Sequence, residues 1–190
     1  MESSAPLLHH TPYDIMVGIW IGTFAMFASD GTRVRAGASH YVIYWKNRPT
    51  LMHFRQDEDL NASGFRGLLG EEDELKALLG EIPLEAIRTL TTPEYDLNVQ
   101  GKHATADGMG PLGHPIHVSA AETSPDVYHF ELKEGKHGVR WYNTHILPSP
   151  NERRTIGPVV TSKDVLGLIM VHSFTRISDE VPEGMRRDLT

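Results

Sequence analysis

The stretch IMVGIWIGTFAMFAS, residues 15–29, decides the fold, and Asp30-Gly31 follows it at once. It is rich in aliphatic and aromatic residues but carries no helical charge pattern. Asp-Gly accepts the positive φ angles of a tight hairpin turn, so a second strand is expected directly after it. That strand runs from Arg33 to Lys46, with Gly37 a candidate bulge. The turn Asn47-Arg48-Pro49 leads into a third strand, Thr50 to Gln56.

Working outward, the only helical pattern comes next. Glu71 to Glu74 load a first turn with negative charge, Leu75, Leu78 and Leu79 give an apolar face, and Gly80 is a candidate cap. Pro83 opens a second short helical piece that reaches Thr89. Strand-like pieces then resume: Tyr95–Gln100, Ile116–Ala121, Val127–Leu132, Gly138–Leu147, Ile156–Thr161 and Val165–Ile177. Glu134-Gly135 marks a hairpin, and 102–114 reads as a long glycine-rich loop that could cover a cavity. Regularly spaced short strands predict one all-β antiparallel barrel over 1–190, with a short helical insertion after the third strand. Residues 1–12 and 181–190 read as flexible tails.

Gly18-Ile19-Trp20 on the first strand and Arg176 in Ser173-Phe174-Thr175-Arg176-Ile177 on the last resemble the Gly-x-Trp and terminal Arg of the lipocalins and wider calycin barrels. The resemblance implies a calycin-like barrel in which Arg176 packs on Trp20 at a closed end. It also implies an interior site for a small, mostly apolar molecule. The helical insertion and the 102–114 loop depart from the secreted lipocalin plan.

Composition narrows the partners. A formal charge of −7, with Arg153-Arg154 and Arg186-Arg187 the only tight basic doublets, argues against nucleic acid and anionic membrane. No cysteine is present, which removes disulfides, thiolate nucleophiles and cysteine zinc sites and suits a cytoplasmic home. Self-association as a homodimer is left open. Gly108-Met-Gly110-Pro-Leu-Gly113 matches a dinucleotide fingerprint only on paper, since proline and a strand follow instead of a helix. No cofactor is expected. His114-Pro-Ile-His117 and His9-His10 are the closest histidine pairs, yet neither has an established metal-ligand spacing, so no metal is expected.

Eleven histidines offer proton-transfer groups near neutral pH. Strand alternation puts Trp20, Gly22, Phe24 and Met26 on one face. If Arg176 faces inward with Trp20, then Phe174, His172 and Met170 do too. The 138–147 strand offers either Trp141, Asn143 and His145 or the opposite set, and alternation leaves Tyr41 and Tyr44 on competing faces. Tyr128, Phe130 and Leu132 read as core, His129 and Glu131 as outer.

Two functions follow. The first, preferred by a small margin, is a cofactor-independent cyclase, isomerase or dehydratase. His172 and His145 would be its acid–base groups, and Asn143 would orient the substrate. Trp20, Phe24, Tyr44, Tyr128, Trp141, Phe174 and Arg176 would form the binding wall. The second is a passive carrier of a small hydrophobic ligand. A third reading fills the interior with side chains.

Overall fold

Alternation of apolar and polar residues becomes ten strands that close on themselves. The computed structural model describes residues 11–58, 93–110 and 114–186. The strands are β1 (Gly18–Ala28), β2 (Arg33–Asn47), β3 (Leu51–Glu58), β4 (Glu94–Gln100) and β5 (His103–Met109), then β6 (Pro115–Ser124), β7 (Val127–Glu134), β8 (Arg140–Ser149), β9 (Glu152–Val160) and β10 (Leu166–Ser178). Each pairs antiparallel with its chain neighbour, and β1 pairs with β10 to close the barrel. Among the described residues, closure leaves no strand edge unpaired.

The 15–29 stretch keeps its expected pleat. Trp20, Phe24 and Met26 are buried inside, while Ile21 on the alternate face is exposed. At the hairpin, Gly31 adopts φ +87° and the Asp30 carboxylate accepts a bond from the Thr32 N–H at 2.8 Å. The irregularity expected at Gly37 falls elsewhere: the β1–β2 register shifts between Met26 and Phe27, opposite 33–35, while Gly37 pairs in register with Phe24.

Two expectations change. The 102–114 stretch is not one long loop, because β5 occupies most of it. Ala104 and Ala106 point inward there, and at Gly108 an added Cβ would lie 2.7 Å from the Cβ of Tyr95. The ninth strand begins at Glu152 rather than Ile156, which brings Arg153 into the sheet. Helical structure among the described residues amounts to two short 3-10 turns, Pro12–Met16 and Glu183–Met185. The helical segment expected at 71–89 lies outside the described residues, as do 1–10 and 187–190 of the expected tails. Within the remaining C-terminal tail, Val181 is buried against Val42 and Tyr44 on the outer wall. No helix of the described residues is long and apolar enough to cross a membrane.

One end of the barrel is closed by the Pro12–Met16 turn. Tyr13 and Met16 are fully buried in it. Trp20 Nε1 donates to Met16 O at 2.9 Å, Tyr13 donates to Lys102 O at 3.2 Å, and Tyr128 donates to Pro12 O. Trp45 Nε1 and Arg48 Nη2 hold the two Asp14 carboxylate oxygens at 2.9 and 2.8 Å. The Arg176 guanidinium lies 4.5 Å from the Trp20 ring and donates to Ile15 O. The expected Trp20–Arg176 stack is therefore present, at the end that the turn plugs.

Candidate functional site

Above the plugged floor, inward-pointing positions of five strands bring polar groups into an aromatic interior. The alternation Arg153, Thr155 on β9 meets His145 on β8, His172 on β10, Ser39 on β2 and Gln56 on β3. Arg153, Thr155, His145, His172 and Ser39 are all buried. Register explains the convergence: Thr155 stands opposite His145 on one side and His172 on the other. The two imidazoles thus flank a single threonine.

Arg153 is the centre of this group. It is completely buried, with its guanidinium carbon 4.4 Å from the Tyr41 ring, 5.7 Å from Phe54 and 6.0 Å from Trp20. Facing aromatic rings offset part of the cost of removing the cation from water. Its Nε donates to His145 Nδ1 at 3.0 Å, and Nη2 also contacts that nitrogen. Nη1 has no partner, and no acidic side chain among the described residues pairs with the guanidinium. Burial lowers the pKa of Arg153 to about 10, which leaves it charged at neutral pH.

His145 responds to both burial and its neighbour. Desolvation first, then the Arg153 charge, push its pKa well below the ordinary imidazole range. The ring is neutral, and because Nδ1 accepts from Arg153, the proton sits on Nε2. His172 is held differently. Its Nδ1 lies 2.7 Å from Thr155 Oγ1, its Nε2 lies 3.2 Å from Gln56 Nε2, and the ring stacks on Phe174 at 5.5 Å. Gln56 continues the chain of polar contacts to Ser39 at 3.4 Å.

The residues anticipated from sequence divide accordingly. Trp20, Phe24, Tyr128, Trp141, Phe174, His145 and His172 face the interior. Asn143 shares their side of β8 but is half-buried, and no hydrogen bond joins it to either imidazole. Arg176 belongs to the floor. Tyr44 points out of the barrel: it packs 4.8 Å from the His53 ring and beneath Arg186, because Tyr41 and Ile43 take the inward positions of β2. The residue that sequence reading missed is Arg153, whose only signal was its place in the alternation Arg153, Thr155, Gly157, Val159. Of two hollows of about 560 and 380 Å³, the larger is lined by His172 and Phe24 together with outward residues such as Thr23 and Ser173, and the smaller by Asn143 and Phe130 with His129 and Thr144; Arg153 and His145 line neither.

Fold and site define a closed ten-stranded antiparallel barrel with a buried, cation-centred polar cluster. No protein-family model and no curated protein matches the chain. Among solved structures it is similar to a protein of unknown function from the DUF3598 family of Nostoc punctiforme, with a TM-score of 0.59 at 8% identity. The match covers 92% of this chain and 53% of that one, so the chain spans about half the length of that relative. It is also similar to Rv2717c of M. tuberculosis, with a TM-score of 0.56 at 14% identity over 92% of this chain and 99% of that one. Similarity at these identities establishes the barrel.

Proposed function

We propose that the barrel binds a small, mostly apolar molecule that carries one anionic group, and that the anion docks on Arg153. The carrying observation is a fully buried guanidinium with an unpartnered Nη1 and, among the described residues, no carboxylate beside it. A buried cation without a counter-charge is costly, and the aromatic rings around it compensate only in part. A carboxylate or similar anion reaching Nη1 supplies the missing partner, with the Tyr41 and Phe54 rings swinging aside to admit it. Phe24, Phe130, Trp141 and Phe174 give the apolar body its walls, and the neutral His145 adds an Nε2–H donor. The calycin resemblance, carried by the Trp20–Arg176 stack, supports the same use of the interior.

The test pairs two dyes of one shape: anionic 1-anilinonaphthalene-8-sulfonate and neutral N-phenyl-1-naphthylamine. Both fluoresce with the wild type, and Arg153→Met weakens the anionic dye by about tenfold or more, the worth of a charge-assisted hydrogen bond. The neutral dye is unaffected. Equal effects of Arg153→Met on both dyes, or no effect on either, remove the proposal. Native mass spectrometry of protein from its natural host, followed by solvent extraction, then identifies the compound.

A second reading keeps the chemistry: a cofactor-independent cyclase, isomerase or dehydratase with His172 and His145 as acid–base groups. The convergence of His145 and Arg153 favours it, since together they could polarise a carbonyl. His172 has both ring nitrogens engaged, so base catalysis there requires Gln56 to yield. Under this reading, turnover of the extracted compound disappears in His172→Ala while the fold persists; undiminished turnover in that variant excludes His172 as the base.

A further inference from the structure

The end of the barrel opposite the plug brings together three metal-ligating side chains that the sequence keeps apart. His114 precedes β6, Glu134 ends β7, and His137 lies in the β7–β8 turn. Register fixes their meeting: Ile116 pairs with Glu134, and the Gly135 N–H donates to Pro115 O at 3.1 Å, which sets His114 beside that turn. One ligand atom from each of His114, Glu134 and His137 lies within 4.8 Å of the others. The two imidazole rings are 5.3 Å apart.

Glu134 is completely buried, and its carboxylate oxygens accept backbone N–H bonds from Lys136 at 2.8 Å and His137 at 2.5 Å. Each oxygen keeps a further lone pair. The backbones of both histidines are hydrogen-bonded, His137 N–H to Glu134 and His114 O to Gly110 N–H, but neither imidazole makes a hydrogen bond or ion pair with another described residue. Turn capping accounts for Glu134. It does not account for two half-buried imidazoles gathered around it with both rings otherwise unengaged.

We propose that His114, Glu134 and His137 form a divalent transition-metal site, with zinc as its natural class of occupant. Two imidazoles and one carboxylate are a borderline donor set that suits zinc and disfavours magnesium and calcium. Three protein ligands leave a fourth position for water or an anion. Tetrahedral ligation at about 2.0–2.1 Å draws the donors to roughly 3.3 Å apart, a closure that rotation of the two imidazoles supplies. The ion ties the segment before β6 to the β7–β8 turn, and it owes nothing to the Arg153 cluster at the other end.

The test uses the full, tag-free chain after chelator treatment, titrated with zinc alone by calorimetry. The expected result is one ion per chain, with His114→Asn and His137→Asn each weakening affinity by about tenfold or more. His117→Asn and the double variant His9→Asn/His10→Asn are controls and leave affinity unchanged. Cobalt substitution is expected to give the intense visible band of a tetrahedral site in the wild type and not in His114→Asn. If one of the two variants fails to fold, the other decides, with zinc raising the wild-type Tm and not the variant's. Absence of stoichiometric binding, unchanged affinity in both variants, or loss with His9 and His10 overturns the site.

Discussion

Arg153 and His145 meet inside the barrel across the β8–β9 hairpin, the guanidinium Nε donating to imidazole Nδ1 at 3.0 Å. A permanent cation thus fixes which nitrogen of a neutral histidine holds its proton.

Arg153→Met is expected to fold and to be at least as stable as the wild type. Replacing buried ionic groups with apolar side chains of similar volume is often neutral or stabilising by about 1–4 kcal/mol. Urea unfolding measures this. A loss of several kcal/mol would mean that the aromatic enclosure fully compensates the charge, and that the cation serves the fold.

Stability should fall on mild acidification because of His145. Its folded pKa lies below the ordinary value near 6.5, so the unfolded chain binds more protons between the two values. The His145 contribution is intact above about pH 6.5. It is lost as pH falls from there toward the folded pKa, at up to about 1.4 kcal/mol per pH unit. In His145→Gln, whose amide oxygen can still accept from Arg153, the slope between pH 7 and 5 should be shallower. Identical slopes in the two proteins would assign the acid sensitivity to other groups.

The Trp20–Arg176 stack is open to a double-mutant cycle with Trp20→Phe and Arg176→Met. A coupling energy of about 1 kcal/mol is expected from the 4.5 Å contact. Trp20→Phe alone should cost more than Arg176→Met: each strips a carbonyl of its donor, but Met16 is fully buried whereas Ile15 is half-buried. Additive single effects would reduce the stack to coincidental proximity.

Gly157→Ala should be among the most damaging small changes in the chain. Its Cβ would fall 1.4 Å from Tyr142 O and 2.9 Å from the Asn143 Cα, both backbone atoms of β8. The strands must separate to admit a methyl group, at a cost of about 3 kcal/mol. Thermal unfolding reads it, and a near-native Tm would show that the β8–β9 pairing relaxes more easily than its spacing suggests.

The barrel was legible because closure needs only regularly spaced strands. The inner faces of 15–29 and 165–177, by contrast, followed only if Arg176 faces Trp20, since both stretches carry large apolar residues on either face. β5 was not legible: its inward residues Ala104, Ala106 and Gly108 are too small to register as a hydrophobic face, and Asp107-Gly108 mimics a turn. Arg153 was hidden for the opposite reason. A doublet of arginines is ordinarily a solvated surface feature, and the alternation Arg153, Thr155, Gly157, Val159 does not by itself say which face turns inward until strand pairing decides it. Tyr44 and Tyr41 differ by one odd step in a strand with aromatic residues on both faces, so only the pairing with β1 and β3 separates them. The histidines at 114 and 137 become neighbours through the β6–β7 register, which no spacing rule in the chain expresses.

The β1–β10 seam has a consequence for how the protein is made. A chain that ends between β9 and β10 carries unpaired ladder groups along both β1 and β9, because β10 is the strand that pairs with each of them. The floor is equally delayed, because Trp20 and Ile15 wait for Arg176. A product truncated before β10 therefore presents two adhesive edges instead of a closed wall.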